Sequence, residues 1–218
     1  MWLLNSSVGK KVIMSVSGIA LVLFLLFHMS MNLVAIFSGE AYNMICEFLG
    51  ANWYALVATA GLAALFVIHI IYAFWLTMQN RRARGNIRYE VTAKPKNVEW
   101  SSQNMLVLGI VVVAFLALHL YHFWAKMQLP MFLGQEYTHD GAALLRLTFK
   151  PLWVLIIYVV WFVALWLHMN HGFWSAFHTL GLNNNIWMKR WKVTGIVVST
   201  IIVLVFIAVA VKGHLVAN

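Results

Sequence analysis

The sequence reads Leu165-Trp-Leu-His168-Met-Asn-His171-Gly172-Phe-Trp174-Ser-Ala-Phe-His178 inside an apolar run that begins near Leu152. Three histidines therefore lie within, or at the end of, a stretch that is otherwise almost entirely apolar. An imidazole in hydrocarbon is costly unless something binds it, so an ionisable residue inside a membrane span marks a functional site by default. Three other apolar runs carry a histidine as well, at His28, His69 and His119.

The composition is that of an integral membrane protein. Of the 218 residues, 63% are hydrophobic and only 10% are charged, whereas soluble domains have about 25% charged residues. The net charge of +9 does not indicate nucleic-acid binding, because the basic residues form short clusters between apolar runs, as membrane topology requires. The single cysteine, Cys46, excludes a disulfide framework and a cysteine metal site.

Five apolar runs are each long enough to cross the membrane, since a helix needs about 20 residues to span a hydrocarbon core of about 30 Å. The sequence thus predicts an all-α, single-domain integral membrane bundle over residues 1–218. Its transmembrane helices are predicted at about 12–37, 53–79, 102–127, 152–180 and 193–212. All three prolines, Pro95, Pro130 and Pro151, fall in the predicted connections, which leaves the helices unbroken.

The basic residues indicate how the bundle is oriented. Eleven of the fifteen lie at one end, in the N-terminal segment and in the connections Gln79–Trp100 and Gly181–Lys192. The other end carries four basic and four acidic residues. By the positive-inside rule the N-terminus is cytoplasmic and the C-terminus lies outside.

Four of the histidines form two pairs by depth. His28 lies 17 residues after Lys11, and His119 lies 17 residues after Ser102, roughly 25 Å from the cytoplasmic side. His69 and His168 each lie 16 residues from the outer start of their predicted runs, roughly 24 Å from the outer side. The sequence therefore predicts one pair near each membrane face, on four different helices.

Two bis-histidine haems suit this arrangement. A haem b iron takes two axial imidazoles from opposite sides, and helix bundles supply such ligands from facing helices. Zinc suits it less well, because zinc binds three or four ligands that converge on one point. The alternative interpretation is that these histidines form hydrogen bonds between helices or line a proton path.

Two further histidines lie one helical turn beyond members of these pairs. His122 follows His119, and His171 follows His168, at the i+3 spacing that places both near the same helix face. Each either replaces its neighbour as an iron ligand or bonds to a haem propionate or a quinone. Depth favours His119 and His168 as the ligands, since His122 lies roughly 5 Å beyond the level of His28.

The chain carries six ordered motifs around these histidines and in the inner connection: Phe27-His28-Met-Ser-Met-Asn32, His69-Ile-Ile-Tyr-Ala-Phe74, Ala83-Arg84-Gly85, Trp100-Ser-Ser-Gln-Asn104-Met105, Leu118-His119-Leu-Tyr-His122-Phe-Trp124 and His168-Met-Asn-His171-Gly172-Phe-Trp-Ser-Ala-Phe. In this order they resemble the single-polypeptide, five-helix, two-haem cytochrome b subunit of succinate:quinone oxidoreductases. That family comprises succinate dehydrogenases and quinol:fumarate reductases. The resemblance spans essentially the whole chain.

The resemblance implies which residues hold each haem and which partners bind. The haem near the catalytic subunits would be ligated by His69 and His168, and the distal haem by His28 and His119. A flavoprotein subunit and an iron–sulfur subunit would dock on the cytoplasmic face of a bacterial inner membrane, and menaquinone would react near the distal haem. The dicarboxylate chemistry belongs to the partner subunits, so no activity is expected of this chain alone.

A quinol oxidised near the distal haem needs a proton acceptor at the outer end. Glu47, just ahead of the second predicted helix, is the predicted acceptor and Glu40 is the runner-up. The alternative interpretation of Glu47 is a solvated carboxylate in a connection. The direction of the reaction stays open, since succinate oxidation and fumarate reduction use the same parts.

Two other kinds of protein share some of these features. One alternative is the two-haem cytochrome b of quinol–cytochrome c oxidoreductases or of membrane hydrogenases. The cytochrome b of quinol–cytochrome c oxidoreductases takes its haem ligands as pairs on the same two helices, a pattern that this chain lacks. A proton- or metal-coupled transporter is the alternative from another class. Such transporters often have broken helices and internal repeats, and intramembrane carboxylates, but here no Asp or Glu lies within any of the five runs.

Overall fold

The computed structural model describes residues 6–51, 53–84, 99–136 and 140–218. About 90% of these described residues are helical, and none of them lies in a strand. Five of its helices are long and apolar enough to cross a membrane, which confirms the predicted all-α bundle with five spans. The chain is therefore a multi-pass membrane protein.

The helices are labelled in chain order. They are α1 Ser7–Phe37, α2 Gly39–Ala51, α3 Trp53–Arg84, α4 Trp100–Gln103, α5 Met105–His119, α6 Ala125–Phe132, α7 Gly141–Phe149, α8 Leu152–Thr179 and α9 Trp187–Ala217. A π-helical turn, Leu120–Trp124, joins α5 to α6. The spans are α1, α3, the continuous segment from α5 to α6, α8 and α9.

Most of the spanning helices extend beyond the predicted apolar runs. α1 begins at Ser7, where the side chain of Ser6 accepts a hydrogen bond from the backbone N–H of Gly9, as an N-cap does. α3 continues to Arg84 and α9 begins at Trp187. Hydropathy marks the part of a helix that lies in hydrocarbon, whereas hydrogen bonding continues into the polar interface, so the runs underestimate the helices.

The predicted connections at the outer end are partly helical. α2 and α7 lie there, and Asn43 of α2 donates to Asp140 at 2.8 Å while accepting from the backbone N–H of Ala142 at 2.9 Å. Asp140 also caps α7, and the backbone N–H of Ala143 followed by the Asn43 amide hold the pKa of Asp140 below its ordinary value. A Cβ on Gly141 would lie 2.6 Å from Sγ of Cys46, so α7 can approach α2 this closely only with glycine there.

One prediction about the prolines is wrong. Pro130 lies inside α6 rather than in a connection, because the helix continues past the end of the apolar run near Met127. Pro151 does lie between helices, as the N-cap of α8. Pro95 is outside the described residues.

The core is centred on α8 and α9. Tyr158, Trp161 and Phe162 of α8 pack with Ile202 and Phe206 of α9 in one buried cluster. α1 and α5 pack against this pair. By contrast α3 packs mainly along α1, and its most apolar stretch has no fully buried residue.

The basic clusters lie at the end of the bundle predicted to be cytoplasmic. Arg81, Arg82, Lys189 and Arg190 are exposed there. Lys10 instead is buried, with its ammonium 4.3 Å from the centre of the Trp75 ring, a cation–π contact. Arg88, Lys94 and Lys96, predicted for the same face, lie outside the described residues.

Candidate functional site

The structure brings together both predicted histidine pairs. His28 of α1 and His119 at the end of α5 have ring centroids 5.9 Å apart, with their planes at 89°. His69 of α3 and His168 of α8 have ring centroids 6.4 Å apart, with their planes at 69°. That each pair binds an iron stays a prediction, but four helices do converge as two pairs.

The separation within each pair matches two ligands on one metal ion. Imidazoles that bind a metal from opposite sides, each through a bond of about 2 Å, have ring centres about 6 Å apart. Both pairs have this spacing. Among the described residues no three His, Cys, Asp or Glu side chains converge as a metal-binding group, so the arrangement suits a two-ligand metal centre better than a zinc site.

The two pairs lie at two levels of the bundle. Ser17 of α1 contacts His69, and eleven residues of helix, about 16 Å, separate Ser17 from His28. A Cβ on Gly109 of α5 would contact His168, and ten residues, about 15 Å, separate Gly109 from His119. Two independent helices therefore give the same spacing between an inner and an outer level.

Two of the four rings carry a buried nitrogen without a hydrogen-bond partner among the described residues. These atoms are Nδ1 of His119 and Nδ1 of His168. Leaving such a group unpaired costs about 1–3 kcal/mol, and the same holds for buried side-chain atoms of Thr148, Trp161, Asn170 and His171. The donor set, two imidazoles at the spacing of metal ligands at each level, is compatible with a haem at each level.

Glycines of neighbouring helices make room for the inner pair. A Cβ on Gly18 would lie 3.3 Å from Cε1 of His69, and a Cβ on Gly109 would lie 3.6 Å from Cε1 of His168. The edge of each ring therefore lies directly against the backbone of a helix that contributes no ligand to this pair.

His122 is held by a different partner. It lies in the π-helical turn, and its Nδ1 is 3.0 Å from the hydroxyl of Tyr158. The two rings also stack, with centroids 5.9 Å apart. In a π-helical turn the backbone bonds run from i to i+5, so His122 is not at the azimuth that a regular helix would give it after His119. The structure pairs His28 with His119 and pairs His122 with Tyr158.

His171 contacts charged groups at the inner end. Its Nδ1 lies 3.5 Å from Oε2 of Glu99, at the start of α4, and the other oxygen of Glu99 accepts a 2.9 Å bond from Lys192 of α9. Partial burial alone would raise the pKa of Glu99, but Lys192, and then His171, leave that pKa below its ordinary value. Glu99 therefore stays ionised at neutral pH and ties α4 to α8 and α9.

Glu47 lies on the exposed side of α2. It lines an open groove of about 460 Å³ with Glu40, Asn43, Asp140 and Arg146. A second groove of about 430 Å³ is almost wholly apolar and lies between α1 and α2, where Phe27 and Met31 line it. Met44 lines both grooves, so the polar and apolar grooves adjoin.

Three residues at the site were not anticipated from the sequence. Ser17 and Tyr158 are within hydrogen-bond distance of His69 and His122, and the carboxylate of Glu99 lies 3.5 Å from the ring of His171. Ser17 and Tyr158 lie in apolar runs, where a hydroxyl is the signal that a neighbour supplies a partner. Nothing in a single sequence says which histidine that partner is.

No known protein-family model, curated protein or solved structure matches this chain.

Proposed function

We propose that this chain is a di-haem cytochrome b, the membrane-anchor subunit of a succinate dehydrogenase or quinol:fumarate reductase in a bacterial cytoplasmic membrane. The proposal rests on the two histidine pairs. Within each pair the rings have the spacing of two ligands on one metal, and the two pairs lie about 15 Å apart along the helices. The choice of family rests on the order of the sequence motifs, which resembles that of the cytochrome b subunit of succinate:quinone oxidoreductases.

The proposal assigns each histidine a role. His28 and His119 would hold an outer haem, and His69 and His168 an inner one. A haem b supplies a one-electron carrier between a quinone pool and soluble redox partners. The protein's part is to fix the ligand rings, on α1 and α5 packed against the core of α8 and α9 and on α3 packed along α1. Aromatic side chains around His119, namely Phe123, Tyr158 and Trp161, would exclude water there.

The inner face would receive the flavoprotein and iron–sulfur subunits. Exposed basic residues at Arg81, Arg82, Lys189 and Arg190 favour a partner with acidic groups, because complementary charge steers association. The positive-inside rule places the same face in the cytoplasm.

The wild-type chain should contain two low-spin haems b per polypeptide. A pyridine haemochrome assay of the purified membrane protein, with a reduced-minus-oxidised spectrum, measures this directly. A haem-free protein, or one haem per chain at full occupancy, would overturn the proposal. A haem-free chain that moved protons or metal ions in vesicles would support the transporter alternative instead.

Glu47→Gln should lower quinol oxidation while leaving both haems in place. The apolar groove between α1 and α2 suits an isoprenoid tail, and the adjoining polar groove would bring Glu47 to the quinone end as a proton acceptor. Turnover with a menaquinol analogue is the measurement, and haem content is the check on folding.

Two further variants complete this test. Glu40→Gln examines the other carboxylate in the groove, and Glu136→Gln is the control on the same membrane face, outside the groove. Normal turnover in Glu47→Gln would remove Glu47 from the quinone site, and a defect confined to Glu40→Gln would assign the role to Glu40.

A further inference from the structure

We propose that Ser17 is a positioning residue that selects the Nδ1–H tautomer of His69 and thereby presents Nε2 of that ring to the inner haem iron. This inference rests on the proposed function. It concerns a residue of α1, a helix that supplies no ligand at the inner level.

Ser17 is held in a fixed place. Its side chain is only 2% exposed, between α1 and α3. Its hydroxyl lies 3.0 Å from the backbone carbonyl of Met14 and 3.1 Å from Nδ1 of His69. Next to it Gly18 lets the edge of the same ring approach the backbone of α1, so the ring is confined from two sides.

The hydrogen count at Ser17 decides the tautomer. A serine hydroxyl has one hydrogen and two acceptor sites. The hydrogen is donated to the Met14 carbonyl, which can only accept. With the hydrogen so placed, the ring is the donor in the contact with His69, which puts the hydrogen on Nδ1 and leaves Nε2 a free lone pair. A neutral imidazole with this arrangement is ready to bind a metal through Nε2.

The hydrogen bond also affects the electronic character of the ligand. An acceptor on the Nδ1–H makes an imidazole more basic, which favours the ferric over the ferrous iron. The described structure provides no such acceptor for Nδ1 of His119 or His168. Ser17 would therefore lower the midpoint potential of the inner haem and leave the outer one unaffected.

The test is a redox titration of Ser17→Ala in the complete complex, followed optically haem by haem. We expect two haems per chain, an upward shift in the midpoint potential of one haem, and no change in the other. Ser15→Ala is the matched control, because Ser15 is buried on the same helix but has no described bond to a histidine; both potentials should be unchanged. Ser17→Thr keeps the hydroxyl, which can still bond to a carbonyl of the preceding turn, and should restore the original potential.

The outcomes separate this inference from the proposed function. Selective loss of the inner haem in Ser17→Ala, restored in Ser17→Thr, would also support the positioning role. Two haems with unchanged potentials in Ser17→Ala would overturn the role of Ser17 and leave the di-haem proposal intact. Equal shifts in Ser15→Ala and Ser17→Ala would likewise overturn it, since packing alone would then be responsible. Absence of haem from the wild-type chain would overturn the proposed function itself.

Discussion

His119→Ala should reduce the chain from two haems to one, whereas His122→Ala should leave both in place. The reason is geometric. The ring of His119 lies 5.9 Å from that of His28, at the spacing of two ligands on one iron, while His122 is bonded to Tyr158. Haem counting in the two separate variants is the measurement.

His122→Ala should nevertheless have a cost in stability. Tyr158 is 2% exposed, and its hydroxyl would lose its partner, a loss of about 1–3 kcal/mol. Thermal unfolding in detergent should therefore shift to lower temperature in this variant without loss of haem. If His122→Ala loses the outer haem and His119→Ala keeps it, the ligand on this helix is His122.

His168→Ala should remove the inner haem alone and abolish electron transfer between quinol and the partner subunits. The ring centroid of His168 lies 6.4 Å from that of His69, the spacing of two ligands on one metal. Its Nδ1 is buried and has no hydrogen-bond partner among the described residues. With the inner level lost, electrons would have to cross the whole span in one step. Fumarate reduction by a quinol analogue should fall to the background of the assay, with one haem per chain remaining.

His171→Ala is the matched control for this result, since it lies one turn away on the same helix. It would break the contact with Glu99 but leave Lys192 bound to that carboxylate. Both haems should therefore remain. If His171→Ala lost the inner haem and His168→Ala kept it, His171 and not His168 would be the iron ligand on this helix.

The spans and the pairing could be predicted because both depend on lengths along the chain. Twenty apolar residues define a crossing, and a fixed rise per residue converts the positions of His28, His69, His119 and His168 into depths. The structure has the five spans and the two pairs at those positions. The ends of the helices differ, where polar residues continue the hydrogen bonding, and the third span contains a π-helical turn.

The remaining features depend on contacts between distant segments, which the hydrophobic periodicity of a sequence does not reveal. The π-helical turn at Leu120–Trp124 changes the direction of His122, and no composition rule predicts such a turn. α2 and α7 are helical because Asn43, Asp140 and Gly141 let them pack on each other. The bond from His69 to Ser17 joins residues 52 positions apart.

The two levels of the bundle determine how membrane voltage would act on the proposed reaction. Moving one charge across the entire membrane costs about 2.3 kcal/mol per 100 mV. Levels about 15 Å apart in a core of about 30 Å span roughly half of that field, so each electron would experience about 1 kcal/mol per 100 mV. With a negative cytoplasm, electrons moving inward from quinol towards fumarate would work against the voltage. Electrons moving outward from succinate to quinone would be driven by it.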